Sequence, residues 1–197
     1  LEGSVFIAGA AIQWLRDSLK VIGKASETEK IAQSIEKLHD IYVVPAFAGL
    51  GAPYWDMYSR GAIFGLTRDT GIDHIIKATL ESLAYQTKDI IDVMEKDSGI
   101  KLRSLKVDGG ACMNNYLMQF QSDLLDSEVL RPEIIETTAM GAGYLAGLQS
   151  NIWDKDQIIK NQKIDRSFNP TINDSAREKM YRGWKKAVNR TFNWIEK

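Results

Sequence analysis

Asp108, Gly109 and Gly110 close a short apolar run that begins at Leu102, and Asn114 and Asn115 follow at the start of a helical pattern. A flat ring or a phosphate could rest on such a turn. Two successive glycines carry no Cβ, so the backbone can enter positive φ and a ligand can come closer to the main chain than a side chain would allow. The helix behind them aims unpaired N–H groups and the positive end of its dipole at the same place. Asp-Gly-Gly is also a common strand-to-helix connection, so the reading depends on what accompanies it.

Other patterns carry less chemistry. Gly141, Gly143 and Ala146 have the spacing of a G-x-G-x-x-A dinucleotide turn, but that device follows a strand and opens a helix, whereas these residues fall inside a helical run. We read Gly141, Ala142, Ala146 and Gly147 as a smooth face that lets a helix lie close to a sheet. The G-x-x-x-x-G-K-[ST] loop of P-loop ATPases is absent from the sequence. His39 and His74 lack metal-ligand spacing with Cys112 and read as surface or capping residues. Cys112 sits near a helix start, where a thiol pKa can fall, although an inert thiol is the plainer reading. Asp108 could act as a reactive carboxylate, yet one that opens a Gly-Gly turn more often fixes it by accepting from its N–H groups, and we expect that structural role.

These residues must be positioned by regular elements. Val5, Ile7, Ala8, Ile12, Leu15, Leu19 and Ile22 recur at near-helical spacing and Gly23 stops the pattern, which predicts a helix over 5–22 with Gln13, Arg16 and Asp17 on its polar face. A charged, weakly amphipathic helix follows over 27–37 and reads as a surface insertion. The run 41–47 predicts a buried strand with Pro45 at an edge or bend. Residues 48–55 form a shaped loop, and 61–67 a second strand. A long helix over 73–96 is capped by Asp73, with Ile76, Leu80, Leu83, Ile90, Val93 and Met94 inward. Strand 102–107, helix 114–125, strand 128–131 and helix 138–148 imply parallel pairing with right-handed crossovers, hence an α/β class. Beyond Ser150 the chain reads as irregular until a final helix over 174–195, where Met180, Trp184, Val188 and Phe192 make one stripe.

Composition narrows the function. The 197 residues suit one substantial domain, with 44% hydrophobic and 26% charged residues and a formal net charge of −1. That balance offers no basic field for nucleic acid or anionic lipid. No apolar run reaches the ~20 residues of a membrane span, and the start lacks the pattern of a signal peptide. The lone Cys112 cannot form an internal disulfide. Together these features favour the cytoplasm. The sequons at Asn173 and Asn189 would matter only in a secreted chain. The chain begins at Leu1 and runs straight into a helical pattern, so it reads as a piece of something longer.

Several blocks read together resemble a known family. Residues 61–67 (GAIFGLT) with 74–81 (HIIKATLE) look like the second signature of the FGGY carbohydrate kinases. Residues 2–10 (EGSVFIAGA), 12–17 (IQWLRD), 45–56 (PAFAGLGAPYWD), 108–111 (DGGA) with Asn114 and Asn115, and 183–188 (GWKKAV) are similar to the members that act on glycerol. The resemblance covers essentially the whole chain. It implies a ribonuclease H-like (actin-like ATPase) lobe: an α/β fold with a mixed sheet flanked by helices, missing its first strands, which would leave a sheet edge unprotected and prone to self-association.

On this reading residues 1–197 are the C-terminal, adenosine-binding lobe, with the final helix (173–195) packed on it. Gly9 and Gln13 from the first helix, and Gly110 and Asn114 from the glycine turn, would contact ATP or ADP. The spacing agrees, since Gly9 and Gln13 share a helical face and Gly110 and Asn114 flank a helix N-terminus. The catalytic aspartate, the glycerol pocket, the first phosphate loop and most Mg²⁺ ligands would lie in the protein's own N-terminal lobe, so no catalytic residue is expected here and isolated residues 1–197 should be inactive and bind nucleotide weakly. Homo-oligomers occur in this family and are expected. Two alternatives stay open: a kinase for another polyol or sugar, and a noncatalytic nucleotide-sensing module on the same fold.

Overall fold

The computed structural model describes residues 2–35 and 40–196. The first helix, α1, spans Gly9–Gln13 and continues as a π-helical turn, Trp14–Ser18. It is shorter than the expected 5–22. Val5 and Ile7 are half-buried while Phe6 and Ala8 are exposed, the two-residue alternation of extended chain rather than a helical face. The Ile7 carbonyl is claimed by Gln86 Nε2 at 2.8 Å. At the other end the helical run stops before Gly23, and Lys20 takes φ 56°.

Helix α2, Glu27–Ser34, buries Thr28 and Ala32. It packs on neighbouring helices and is not the surface insertion the charge pattern suggested. Glu36 and Lys37 of that predicted helix, together with His39, lie outside the described residues. Strand β1, Tyr42–Val44, pairs antiparallel with β2, Ala62–Phe64, in the register Tyr42 to Phe64. Pro45 ends β1, as expected from its missing N–H.

Helix α3, Ile72–Ser98, is capped by Gly71, not Asp73. The Gly71 N–H donates to His74 Nδ1 at 3.2 Å, which makes His74 a capping residue, and Asp73 stands in the first turn where its charge meets the helix dipole. Gly99 at φ 71° ends the helix. Ile76, Leu80, Leu83 and Ile90 are buried as the periodicity required.

Strand β3 (Ser104–Lys106) leads through a 3₁₀ turn (Gly110–Met113) into α4 (Asn115–Leu125), then β4 (Glu128–Pro132) and α5 (Thr137–Gln149). β3 and β4 are parallel, as the strand-helix-strand order implied. The segment after Ser150 is not irregular. It forms α6 (Lys155–Asn161) and β5 (Ile164–Phe168), which joins β4 antiparallel and gives a mixed sheet ordered β3-β4-β5. β5 exposes four of its five residues, so it carries no hydrophobic signature, and its backbone pairing with β4 alone makes it a strand. Among the described residues β3 is a sheet edge.

The small residues of α5 do not bring it against the sheet as expected: Gly147 packs under Trp153, which lies in no strand, and around Gly141 and Gly143 there is open space. Helix α7, Asp174–Asn189, is capped by Asn173 and ends six residues before the expected 195. Phe192 then packs on Tyr54, and the Ile195 N–H bonds the Tyr58 carbonyl, so the tail closes over the 48–58 loop.

The core forms where α3, α4, α7 and β1 meet. Tyr85 on α3 stacks on Trp184 of α7 with ring centroids 5.2 Å apart and meets Phe120 of α4 edge-on. Trp184 is fully buried, and its indole N–H donates to Asp89 Oδ2 at 2.7 Å while the Tyr181 hydroxyl donates to Oδ1. Burial alone would penalise that carboxylate and raises its pKa, but both oxygens have donors.

Candidate functional site

A cleft of about 430 Å³ opens between α1 and the glycine turn. Its volume falls in the range of small-molecule pockets. One wall is the face of α1 that carries Gly9, Gln13 and, one helical turn further, Arg16. The opposite wall is Gly110, Ala111, Met113 and Asn114. Leu80 and Leu83 of α3, with Ile12 and Leu117, form an apolar floor, and Ala25, Ser26 and Glu29 at the start of α2 close one end. All four residues singled out from the sequence, Gly9, Gln13, Gly110 and Asn114, therefore line one cavity, although they come from segments about 100 residues apart.

The two glycines of the turn do different work. Gly109 takes φ 73°, a conformation that strains other residues, and its N–H bonds the Ile135 carbonyl at 2.9 Å. Gly110 has ordinary backbone and instead keeps space open: a Cβ there, as at Gly9, would meet no atom within 4 Å. Both walls thus present bare main chain to the cleft.

The α4 terminus is arranged differently from expectation. The 3₁₀ turn intervenes, and Asn114 caps α4 with its own side chain, whose Oδ1 accepts from the Leu117 N–H at 2.9 Å while Nδ2 donates to Thr28 Oγ1. Part of the helix's N–H capacity is therefore used internally. One amide hydrogen of Asn114 is placed on Thr28.

Charge in the cleft is sparse. Arg16 and Glu29 are the ionised groups in its lining, and Arg16 is tied to Asp17 at 2.6 Å. That bond holds the Asp17 carboxyl below its usual range. Such a lining suits a neutral base and ribose better than a chain of phosphates, whose charge would call for several cations. Leu80 and Leu83 make part of the lining apolar.

Asp108 does not bond its own turn. Its Oδ2 accepts from the Thr137 hydroxyl and so ties the turn to α5, and the residue faces a separate cavity rather than this cleft. Its role is structural, by a different bond from the one expected. Cys112 is buried and its thiol pKa is raised by desolvation, so no activated thiol is present. Among the described residues no group of three or more His, Cys, Asp or Glu could hold a metal ion, and no helix is long and apolar enough to cross a membrane.

Sequence reasoning missed Ser26 and Glu29 as part of this site. The available signal was the pair Thr28 and Ala32, four apart on α2, which marks a packed face.

Residues 1–150 match the model of the FGGY family of carbohydrate kinases, C-terminal domain. The chain is 61% identical over 195 residues to the glycerol kinase of Alkaliphilus metalliredigens, covering 98% of this chain and 39% of that protein. It is 60% identical to the glycerol kinase of Caldanaerobacter subterraneus, covering 40% of that protein. The chain thus spans about two fifths of the length of these curated relatives. Among solved structures, Plasmodium falciparum glycerol kinase with ADP superposes with a TM-score of 0.84 at 37% identity, over 93% of this chain and 37% of that one. A xylulose kinase from Lactobacillus acidophilus shares the fold, with a TM-score of 0.78 at 19% identity.

Proposed function

This chain belongs to the FGGY family of carbohydrate kinases, and from that premise we propose that it is the adenosine-holding lobe of an ATP-dependent glycerol kinase. The observation that carries the reading is the cleft itself: Gly9 and Gly110, each with open space where a Cβ would stand, line one cavity with Gln13, Asn114 and the apolar side chains of Leu80 and Leu83. A purine slides between the α1 and glycine-turn walls. Gly9 and Gly110 allow it to reach main chain, and the amides of Gln13 and Asn114 supply polar contacts.

The phosphates extend out of the weakly charged cleft toward an N-terminal lobe that binds glycerol. There the terminal hydroxyl oxygen attacks the γ-phosphorus, the bond to the β-phosphate oxygen breaks, ADP leaves and a carboxylate of that lobe takes the hydroxyl proton. Mg²⁺ would accompany ATP and would offset phosphate charge, with its protein ligands largely outside residues 1–197. The names of the relatives at about 60% identity favour glycerol over other polyols or sugars. Use of ATP as donor supports a cytoplasmic reading. The exposed Trp55 and Met57 support homo-oligomerisation, which sedimentation of the full-length protein measures.

The test pairs an activity with a location. Full-length protein should phosphorylate glycerol with Mg-ATP in preference to xylulose or gluconate, while residues 1–197 alone should give no turnover. A photoreactive ADP analogue should label residues around 110. Label far from this cleft, or turnover by residues 1–197, would overturn the assignment.

A further inference from the structure

Main-chain contacts cannot be tuned by changing side chains, so the position of the glycine turn must be fixed from behind. The geometry points to Arg131 as the positioning residue that sets the width of the nucleotide cleft; this rests on the nucleotide reading above. Arg131 lies on β4, only 7% exposed, and does not line the cleft.

Its guanidinium joins three parts of the fold. Nε and Nη2 meet Asp165 Oδ2 of β5 at 2.8 and 2.7 Å. Nη1 donates to the Cys112 carbonyl and to Asn115 Oδ1, both at 3.1 Å. The plane lies 5.6 Å from the Phe168 ring centroid. Asn115 relays the connection: its Oδ1 faces the cations Arg131 and Arg166, and its Nδ2 donates to Glu29 Oε1 at 2.8 Å. Chemistry fixes that amide orientation, because only the oxygen can accept from guanidinium and only the nitrogen can donate to carboxylate.

One buried cation therefore holds the glycine turn, at the carbonyl between Ala111 and Met113, and through Asn115 it holds Glu29 of α2, which closes the end of the cleft. Lysine cannot replace it. A single ammonium lacks the planar fork that serves a carboxylate on one edge and two neutral oxygens on the other. Loss of the strut lets turn and helix shift relative to each other, and a site that must be re-ordered on binding loses affinity.

The experiment measures steady-state kinetics of the full-length enzyme with Arg131→Met, Arg131→Lys and Asn115→Ala, beside Gly110→Val as the reference for the cleft. Arg131→Met and Arg131→Lys should each raise KM for ATP about tenfold, equivalent to ~1.4 kcal/mol of binding free energy, leaving KM for glycerol and kcat within about twofold. Asn115→Ala, which keeps Arg131 on Asp165 and Cys112, should raise KM for ATP several-fold and decides the matter if the arginine variants do not fold. A purely structural role would reduce the amount of active enzyme and leave both KM values unchanged, and that result overturns the proposal. If Gly110→Val also leaves KM for ATP unchanged, the nucleotide assignment of the cleft fails with it. If Gly110→Val raises it and the Arg131 and Asn115 variants do not, only the positioning role falls.

Discussion

Gly110→Val separates ligand exclusion from damage to the fold, because the space beside Gly110 belongs to the cleft and not to the protein. No atom lies within 4 Å of a Cβ at this position, and the backbone there is not in the positive-φ region that would penalise valine. The variant's stability should therefore change by no more than about 0.5 kcal/mol, as for an exposed substitution. The branched side chain would instead occupy part of the 430 Å³ into which the base must slide. Excess carbons in a fitted pocket cost roughly 1–3 kcal/mol, or about 10–200-fold in affinity. Initial rates of the full-length enzyme, with ATP varied at saturating glycerol and then the reverse, should show KM for ATP raised by that factor and KM for glycerol unmoved. A thermal melt of the unliganded protein should match the parent. Unchanged KM for ATP, or an effect on glycerol alone, would refute the placement of the base against this turn. A large fall in melting temperature would refute the claim that the position is empty.

Glu81 should make stability depend on pH. Burial lifts its pKa from 4.5 to about 7 against the opposing Tyr116 hydroxyl at 2.5 Å and Lys77. A carboxyl whose folded pKa is raised stabilises fully below its unfolded pKa, and that contribution is lost as pH climbs through the folded value. Glu81→Gln should thus match the parent near pH 4.5 and exceed it by about 3 kcal/mol at pH 8, less what Lys77 loses without its countercharge, as read from urea midpoints; equal stability at both pH values would contradict the burial argument. Gly183→Ala drives a Cβ into the Tyr42 hydroxyl and ring, where α7 crosses β1, and should cost about 1–3 kcal/mol by the same melts, while Gly9→Ala, facing open cleft, should be nearly silent. No loss at Gly183 would mean that α7 can move away from β1 freely.

Local features proved legible in proportion to how far their cause lies within one segment. The α3 stripe of Ile76, Leu80 and Leu83 and the α7 stripe of Met180, Trp184 and Val188 are set by helical period, and both are buried. The 5–22 pattern misled because Val5 and Ile7 fit an extended alternation as well as a helical one, and the Gln86 amide takes the Ile7 carbonyl. β5 had no signature, since a strand that exposes Ile164, Asp165, Arg166 and Ser167 is created by its partner. α6 was legible in principle: Asp154 and Gln157 form a capping box that announces its start.

The sequence by itself determined the glycine turn and the buried stripes of α3 and α7, because backbone freedom and periodicity are properties of a few neighbouring residues, while the resemblance of its motifs to a known family pointed to Gly9, Gln13, Gly110 and Asn114 as the residues that could meet a ligand. Only the tertiary structure decided that Gly9 and Gly110 line one cavity with Leu80, Leu83 and Glu29, and that Arg131 bonds both Cys112 of the turn and Asn115 behind it. Those relations join residues dozens of positions apart through burial and hydrogen bonds. Their energies exist only once the chain has brought the groups together and removed the water between them.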